Sequence, residues 1–237
     1  MRTFLLIGMF TASLTNAAWR DYQETRDLNL DADEIDTVVV TSGAGSVDVH
    51  GSADARKIVV KALIQVPGKN EDKAREIIES DLVLTLERED RKAVLKGYFD
   101  SPGWGWGDSP SVALEVSVPQ TVGLDIDDSS GSIKVREVAG DIEIDDSSGS
   151  LKMTDVGGTV RIDDSSGSIA VEGVGGDISI TDGSGSITVS DVRGSVFVDD
   201  GSGSINVTDV DEDLIIEDDG SGSLNFARIQ GRVERGD

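Results

Sequence analysis

A Gly-Ser step recurs every eighteen residues along the second half of this chain. Its glycines are separated by 18, 18, 18, 18 and 19 positions, and a serine follows each of them. The glycines are Gly131, Gly149, Gly167, Gly185, Gly203 and Gly222. A fixed period this short is typical of a solenoid, in which each repeat forms one turn of a stack and cannot bury its apolar side alone.

Apolar residues occupy the same five positions in each full repeat. In the first repeat they are Ile133, Val135, Val138, Ile142 and Ile144. Pairs two residues apart predict short strands with alternate side chains inward, and the lone central residue predicts an inward-facing corner. A Gly-bearing corner joins the two strands of each turn, and a return corner of the type Asp-Asp-Ser-Ser-Gly leads to the next turn. We therefore expect an all-β fold, a single-stranded β-solenoid (β-helix) with about 18 residues per turn.

The segment before the repeats has a different pattern. Val38 to Val49 matches Leu124 to Val135 at a constant offset of 86 residues, so the repeat signature already occurs once there. Solenoids need atypical terminal units, and we interpret this segment as an N-terminal β-rich cap containing one short helix. Its strands are predicted at 58–66, 82–88, 92–99 and 111–118, and its helix at about 70–80.

Residues 1–17 resemble a secretory signal peptide. Arg2 precedes an apolar run from Phe4 to Phe10, and small and polar residues end at Ala17. The run is shorter than the roughly 20 apolar residues that cross a bilayer, so cleavage is favoured over an N-terminal anchor. The expected organisation is a signal peptide at 1–17, a linker at 18–36, the cap at 37–119 and the solenoid at 120–237. No transmembrane span is predicted after signal removal, and the expected location is the bacterial periplasm or the cell surface.

The chain is strongly acidic, and its acids are not evenly distributed. It has 46 Asp and Glu against 21 Lys and Arg, which gives a net charge of −25. This field disfavours a nucleic-acid partner, because the phosphate backbone requires facing cations. Paired aspartates at the return corner predict two columns in register through the stack. The columns are Asp127, Asp145, Asp163, Asp199 and Asp218, and Asp128, Asp146, Asp164, Asp182, Asp200 and Asp219.

Two interpretations of these aspartate columns stay open. In the first, they form a solvated acidic edge that keeps the stack soluble and discourages edge pairing. In the second, they bind Ca²⁺, whose oxygen ligands lie about 2.3–2.6 Å from the ion. One ion could then bridge two turns spaced about 4.8 Å apart. No other cofactor is predicted.

Two apolar features outside the predicted core are candidate partner-binding positions. Trp104 and Trp106 lie in a Gly-rich loop of the cap, where they either pack back on the cap or form a binding tip. Phe197 and Ile215 fall at adjacent outward positions of neighbouring turns. They form either a small exposed apolar patch without a function or a docking patch for a partner. The predicted partner is an envelope or surface protein or a glycan.

Several motifs together resemble a known bacterial family. They are Val-Val-Val-Thr-Ser-Gly-Ala-Gly-Ser-Val-Asp-Val at 38–49, a strand ending in Val118-Pro119, and recurring Ser-Gly-Ser-Ile-x-Val and Gly-Asp-Ile-x-Ile units. The chain is similar over about residues 37–234 to the β-strand-repeat family called putative adhesin, a domain of unknown function. The resemblance implies a single-stranded β-solenoid, export or surface exposure, and no established catalytic residues.

Enzymatic chemistry is not expected. The chain has one histidine, His50, and no cysteine, so neither a Cys-His pair nor a metal site with several histidines can form. Its paired carboxylates repeat at every turn rather than converging on one site. The predicted function is a non-catalytic exported β-solenoid for adhesion, scaffolding or envelope interaction. The alternative is a Ca²⁺-dependent polysaccharide-binding or polysaccharide-active protein that uses the Asp-Asp corner columns.

Overall fold

The structure is a computed structural model that describes residues 21–100 and 109–236. It confirms the predicted all-β solenoid with about 18 residues per turn. The signal peptide predicted at 1–17 and the candidate residues Trp104 and Trp106 lie outside the described residues.

One helix and eighteen strands make up the regular structure of the described residues. The helix is α1 (Glu71–Asp81). The strands are β1 (Tyr22–Asp31), β2 (Thr37–Ser52), β3 (Lys57–Val66), β4 (Leu82–Glu89), β5 (Lys92–Phe99), β6 (Ser111–Pro119), β7 (Gly123–Val138), β8 (Ile142–Asp146), β9 (Gly149–Val156), β10 (Val160–Asp164), β11 (Gly167–Val174), β12 (Ile178–Asp182), β13 (Gly185–Val192), β14 (Val196–Asp200), β15 (Gly203–Val210), β16 (Leu214–Asp218), β17 (Ser223–Ile229) and β18 (Val233–Arg235).

Each regular turn of the solenoid consists of a five-residue strand and an eight-residue strand. The short strands pair in parallel with one another, as Ile144 with Ile162, and the long strands do the same, as Leu151 with Ile169. Both ladders keep an offset of 18 residues, so equivalent side chains lie one above another. The β-branched residues that dominate the inward positions suit this stacked, pleated arrangement.

The solenoid core follows the five predicted apolar positions. From Ile133 to Ile216 these inward side chains are at most 3% exposed. In the last turn the equivalent side chains emerge at the end of the stack, where Phe226 is 44% and Val233 39% exposed. The single 19-residue step coincides with a register shift between β14 and β16, where Asp199 pairs with Asp218.

The cap joins the solenoid through β2. This strand pairs in parallel with β7 at the predicted offset of 86 residues, as Val38 with Leu124 and Val49 with Val135. Its other edge pairs with β5 and β6, so β2 serves as the first rung of the stack. The cap strand β3 then pairs antiparallel with β6, and β4 with β5.

The helix agrees with its predicted position. Asn70 is the N-cap residue, and its side chain accepts a hydrogen bond from the Lys73 N–H. The helix buries one apolar face in the core, formed by Ala74, Ile77 and Ile78.

The predicted linker at 18–36 contains a strand that the sequence pattern did not reveal. All ten residues of β1 pair antiparallel with β3. Only Leu28 of β1 is fully buried, so the strand lacks the clear alternation from which strands are predicted.

No helix in the described parts of the chain is both long and apolar enough to cross a membrane.

Candidate functional site at the paired aspartates

The two aspartates of each pair face opposite sides of their strand. In β8, Asp145 is exposed, whereas Asp146 is 1% exposed. Successive side chains of a strand alternate, so Asp146 continues the inward face of Ile142 and Ile144. We define the outer column as Asp127, Asp145, Asp163, Asp199 and Asp218, which are exposed, and the inner column as Asp128, Asp146, Asp164, Asp182 and Asp200, which are 0–2% exposed. Asp219 extends the inner column in a half-buried position.

The inner column brings like charges together in register. Asp128 pairs with Asp146, and the parallel ladder continues turn by turn to Asp200. Two unit charges about 4.8 Å apart repel by about 0.9 kcal/mol in water, and by more where solvent is excluded. A fully ionised inner column therefore opposes folding.

One oxygen of each regular inner-column carboxylate holds the return corner. Asp146 Oδ1 accepts the Ser148 N–H at 3.0 Å, and the equivalent bonds in the next three turns are 3.0, 3.1 and 3.1 Å long. Such a bond to the amide two residues ahead is an Asx turn, which explains why Asp occupies this position. The second oxygen, Oδ2, is buried at all five positions, and no hydrogen-bond partner for it lies among the described residues.

The ends of the column differ from its middle. At the cap end, Ser42 of β2 is buried at the position equivalent to Asp128, and its hydroxyl donates a hydrogen bond to Asp128 Oδ1. At the other end, Arg235 donates to Asp219 Oδ2 and forms an ion pair with it. Ser42 was not singled out in the sequence, although the 86-residue offset aligns it with Asp128.

Burial raises the pKa of every inner-column aspartate above its ordinary value. For Asp146 and Asp182 the pKa rises to about 6. Loss of solvent is the main cause, the bond from the corner amide opposes it, and carboxylates on the neighbouring turns raise the pKa further. The inner column is thus a set of carboxyls that resist ionisation.

The geometry does not favour calcium at the paired aspartates. Asp145 and Asp146 point to opposite faces of β8, so the outer and inner columns cannot share one ion, and Ca²⁺ requires about six to eight oxygen ligands. Across the described ranges, no group of three or more His, Cys, Asp or Glu side chains is arranged to hold a metal ion. Calcium binding by these residues stays an untested prediction.

A third set of aspartates lies at the Gly corner and was missed in the sequence. Asp141 Oδ1 accepts the N–H and the hydroxyl of Thr159 on the next turn, at 2.8 and 2.9 Å. Asp177 receives the Ser195 N–H in the same way, and Asp213 that of Arg232. Here an acid alternates with a non-acidic residue on successive turns, so like charges are not adjacent. This alternation gives a 36-residue period that is visible in the sequence. The inner column lacks this alternation.

The predicted apolar pair is brought together on the solenoid surface. Phe197 of β14 pairs in register with Ile215 of β16. Phe197 is 40% exposed and Ile215 is half-buried. We call these two residues the apolar patch.

Solved structures of bacterial proteins are similar to this chain at low sequence identity. A putative cell adhesion protein from Clostridium sporogenes ATCC 15579 is 12% identical, and the match covers 91% of this chain and 99% of that protein with a TM-score of 0.38. A putative adhesin from Bacteroides fragilis NCTC 9343 is 12% identical, with 90% and 97% covered and a TM-score of 0.41. A putative lipid binding protein from Parabacteroides distasonis ATCC 8503 is 15% identical, with 91% and 97% covered and a TM-score of 0.33.

The sequence itself matches a family profile over most of its length. Among curated proteins, none matches the chain. The profile described as Toastrack DUF4097 matches residues 26–229, which agrees with the resemblance to a domain of unknown function built from β-strand repeats. The chain belongs to the Toastrack DUF4097 family.

Proposed function

We propose that this protein is a non-catalytic, exported interaction module that adheres to a protein or glycan of the bacterial envelope through the outer faces of its solenoid. The observation that carries the proposal is the contrast between the constant inward positions and an outward position of the long strands that varies from turn to turn. One exposed column in register reads Lys134, Lys152, Ala170, Thr188 and Asn206. A stack that keeps its core and varies its surface is a rigid scaffold for display.

The apolar patch is the part of that surface best suited to a partner. Phe197 is a large aromatic side chain, and aromatic residues are enriched in protein interfaces because they bury much area at small entropic cost. The exposed Asp199 follows on the same face of β14. An aromatic anchor beside an acidic rim suits a partner that offers an apolar pocket with cationic groups around it.

The distribution of acids supports a non-catalytic role. An active site requires one unique set of groups in which environments set different roles. In this solenoid the inner carboxyls have nearly the same environment at each turn, with the same corner bond and the same buried Oδ2. The arrangement therefore favours structural use of the acids.

A binding measurement tests the proposal. The full chain after signal removal is immobilised and exposed to purified envelope proteins and to a glycan array, with wild type compared with a Phe197→Ser/Ile215→Ser variant. Val59→Ser is the matched control, because Val59 is 46% exposed on the cap, away from the patch. We expect the patch variant to lose at least about tenfold in affinity for its ligand and the control to keep it.

Two results would count against this function. Equal affinity of the patch variant and wild type for every bound ligand would exclude the patch as the docking site. Release of sugar or peptide products from a bound ligand would show catalysis and replace the proposal with an enzymatic one.

A further inference from the structure

The inner column contains a repeated imbalance in hydrogen bonding. From Asp146 to Asp200, each carboxyl uses Oδ1 to accept a corner N–H. Each Oδ2, that of Asp128 included, is buried and lacks a donor among the described residues. Buried polar atoms nearly always have a partner. Five identical exceptions in register indicate that a donor belongs in this column.

A proton meets this requirement. An ionised carboxylate only accepts hydrogen bonds, whereas a carboxylic acid also donates one through its O–H. Two carboxyl carbons joined by one such hydrogen bond lie up to about 5 Å apart, because each C–O bond adds about 1.2 Å to an O···O separation of about 2.6 Å. This span matches the spacing of about 4.8 Å between turns. A protonated Asp146 can therefore donate to the carboxylate of Asp164 or Asp128.

We propose that the inner column is a proton-binding site that takes up protons from solvent at mildly acidic pH and converts its repelling carboxylates into a ladder of hydrogen bonds along the stack. Each proton adds to a buried Oδ2, and the new O–H donates to the carboxyl of a neighbouring turn. The solenoid is then most stable below neutral pH. This inference does not depend on the proposed binding function.

The charged groups around the column reinforce this behaviour. Within their strands, four inner-column residues follow an acidic neighbour (Asp127, Asp145, Asp163 or Asp199), whereas Asp182 follows the neutral Thr181. Asp218 and Asp219 add negative charge beside Asp200. The cationic partner identified in the described residues is Arg235, which pairs with Asp219 at the far end. Ser42 supplies a neutral donor at the cap end.

The raised pKa values give the direction of the effect. Asp146 and Asp182 have a pKa of about 6 in the folded protein against 3.8 for a free side chain. The folded state therefore binds these protons more tightly than the unfolded state does. Their contribution to stability is complete below pH 3.8 and is lost as the pH rises through about 6.

Matched triple variants test the proposal. The inner variant carries Asp146→Asn, Asp164→Asn and Asp200→Asn, and the outer variant carries Asp145→Asn, Asp163→Asn and Asp199→Asn. Both change the same three turns and replace the same number of carboxyl groups. Thermal midpoints are measured between about pH 5 and 7.5 with chelator present and ionic strength fixed. Wild type and the outer variant should lose several degrees as the pH rises, and the inner variant less than half as much. Three equal pH dependences would overturn the proposal.

Carboxyl ¹³C titration of the wild-type protein keeps the question decidable if the inner variant does not fold. We expect at least two aspartate carboxyls to titrate near pH 6, and substitution of a single inner residue, Asp182→Asn, to remove one of these titrations. Titration of all aspartate carboxyls below about pH 4.5 would overturn the proposal.

Discussion

Asp145 and Asp146 are consecutive residues of β8, yet the Asp145 carboxyl lies in solvent and the Asp146 side chain is 1% exposed. The alternation of side chains along a strand separates them completely. The outer carboxylate stays hydrated, whereas the inner one holds the return corner and adds buried charge to the core. Of these two identical neighbours in the sequence, only the inner one therefore has a marked effect on stability.

The first prediction concerns the buried charge of Asp146. In Asp146→Asn the amide oxygen can still accept the Ser148 N–H, while the charge beside Asp128 and Asp164 is removed. We expect the free energy of unfolding at pH 7.5 to rise by about 1 kcal/mol, as measured by urea denaturation. The control Asp145→Asn should change it little, because that side chain is exposed. A less stable Asp146→Asn protein would contradict the stated role of the charge.

The second prediction concerns the donor at the cap end. Ser42→Ala removes the hydroxyl that donates a hydrogen bond to Asp128 Oδ1. Because this bond lowers the pKa of Asp128, its loss raises that pKa further. We expect a loss of about 1–2 kcal/mol at pH 7.5 and a smaller loss at pH 5, because a protonated Asp128 needs this donor less. Denaturant unfolding at both pH values measures the difference. Ser46→Ala, in the same strand but outside the inner column, is the control. A loss that is the same at both pH values would show that Ser42 acts by packing alone.

The third prediction concerns the glycine that defines the repeat. Gly149 has φ +147°, and a Cβ there would lie 1.8 Å from the Gly131 carbonyl oxygen on the preceding turn. Gly149→Ala is expected to prevent normal stacking and to lower the thermal midpoint strongly. Gly173→Asn is the control, because Asp155 and Asp191 adopt positive φ at the same position of adjacent turns. A Cβ at Gly173 would also have room, since the nearest atom to it would be Asp155 Oδ1 at 3.4 Å. Comparable losses in both variants would contradict this account.

The fourth prediction concerns calcium. Because the outer and inner carboxylates face opposite sides of the strand, excess Ca²⁺ is expected to leave the thermal midpoint at the value found with chelator, at fixed ionic strength. A Ca²⁺-dependent rise that the outer triple variant abolishes would restore the calcium interpretation of the outer column.

Much of the fold could be predicted from periodicity. The inward positions, the 86-residue match between β2 and β7, and the cap helix all follow from patterns of apolar residues that the structure confirms. The strand β1 was not predictable in this way, since its partner β3 lies more than 25 residues further along the chain and Leu28 is its one fully buried side chain. Pairing with β3, rather than the pattern of β1 itself, determines that strand.

The sequence predicted where the candidate site lies, but not that the inner aspartates are buried. The paired aspartates stand out in the sequence, and their turn chemistry suggested a corner exposed to solvent. The i, i+2 series of Ile142, Ile144 and Asp146 already contained the signal for burial, but a charged residue at an inward position is rare enough that the corner interpretation prevailed.

The eighteen-residue repeat by itself determined the architecture, because a strand period of two and a fixed turn length leave one way to stack these apolar side chains. Only the tertiary structure decided that the inward-facing aspartates stay in the core instead of turning out to solvent at the corner. Their exposure depends on where the strand ends and the corner begins, and that boundary is set by the Asx bond and by contacts between turns. From Asp127-Asp128 to Asp199-Asp200, each pair of aspartates consequently consists of one exposed acid and one buried carboxyl.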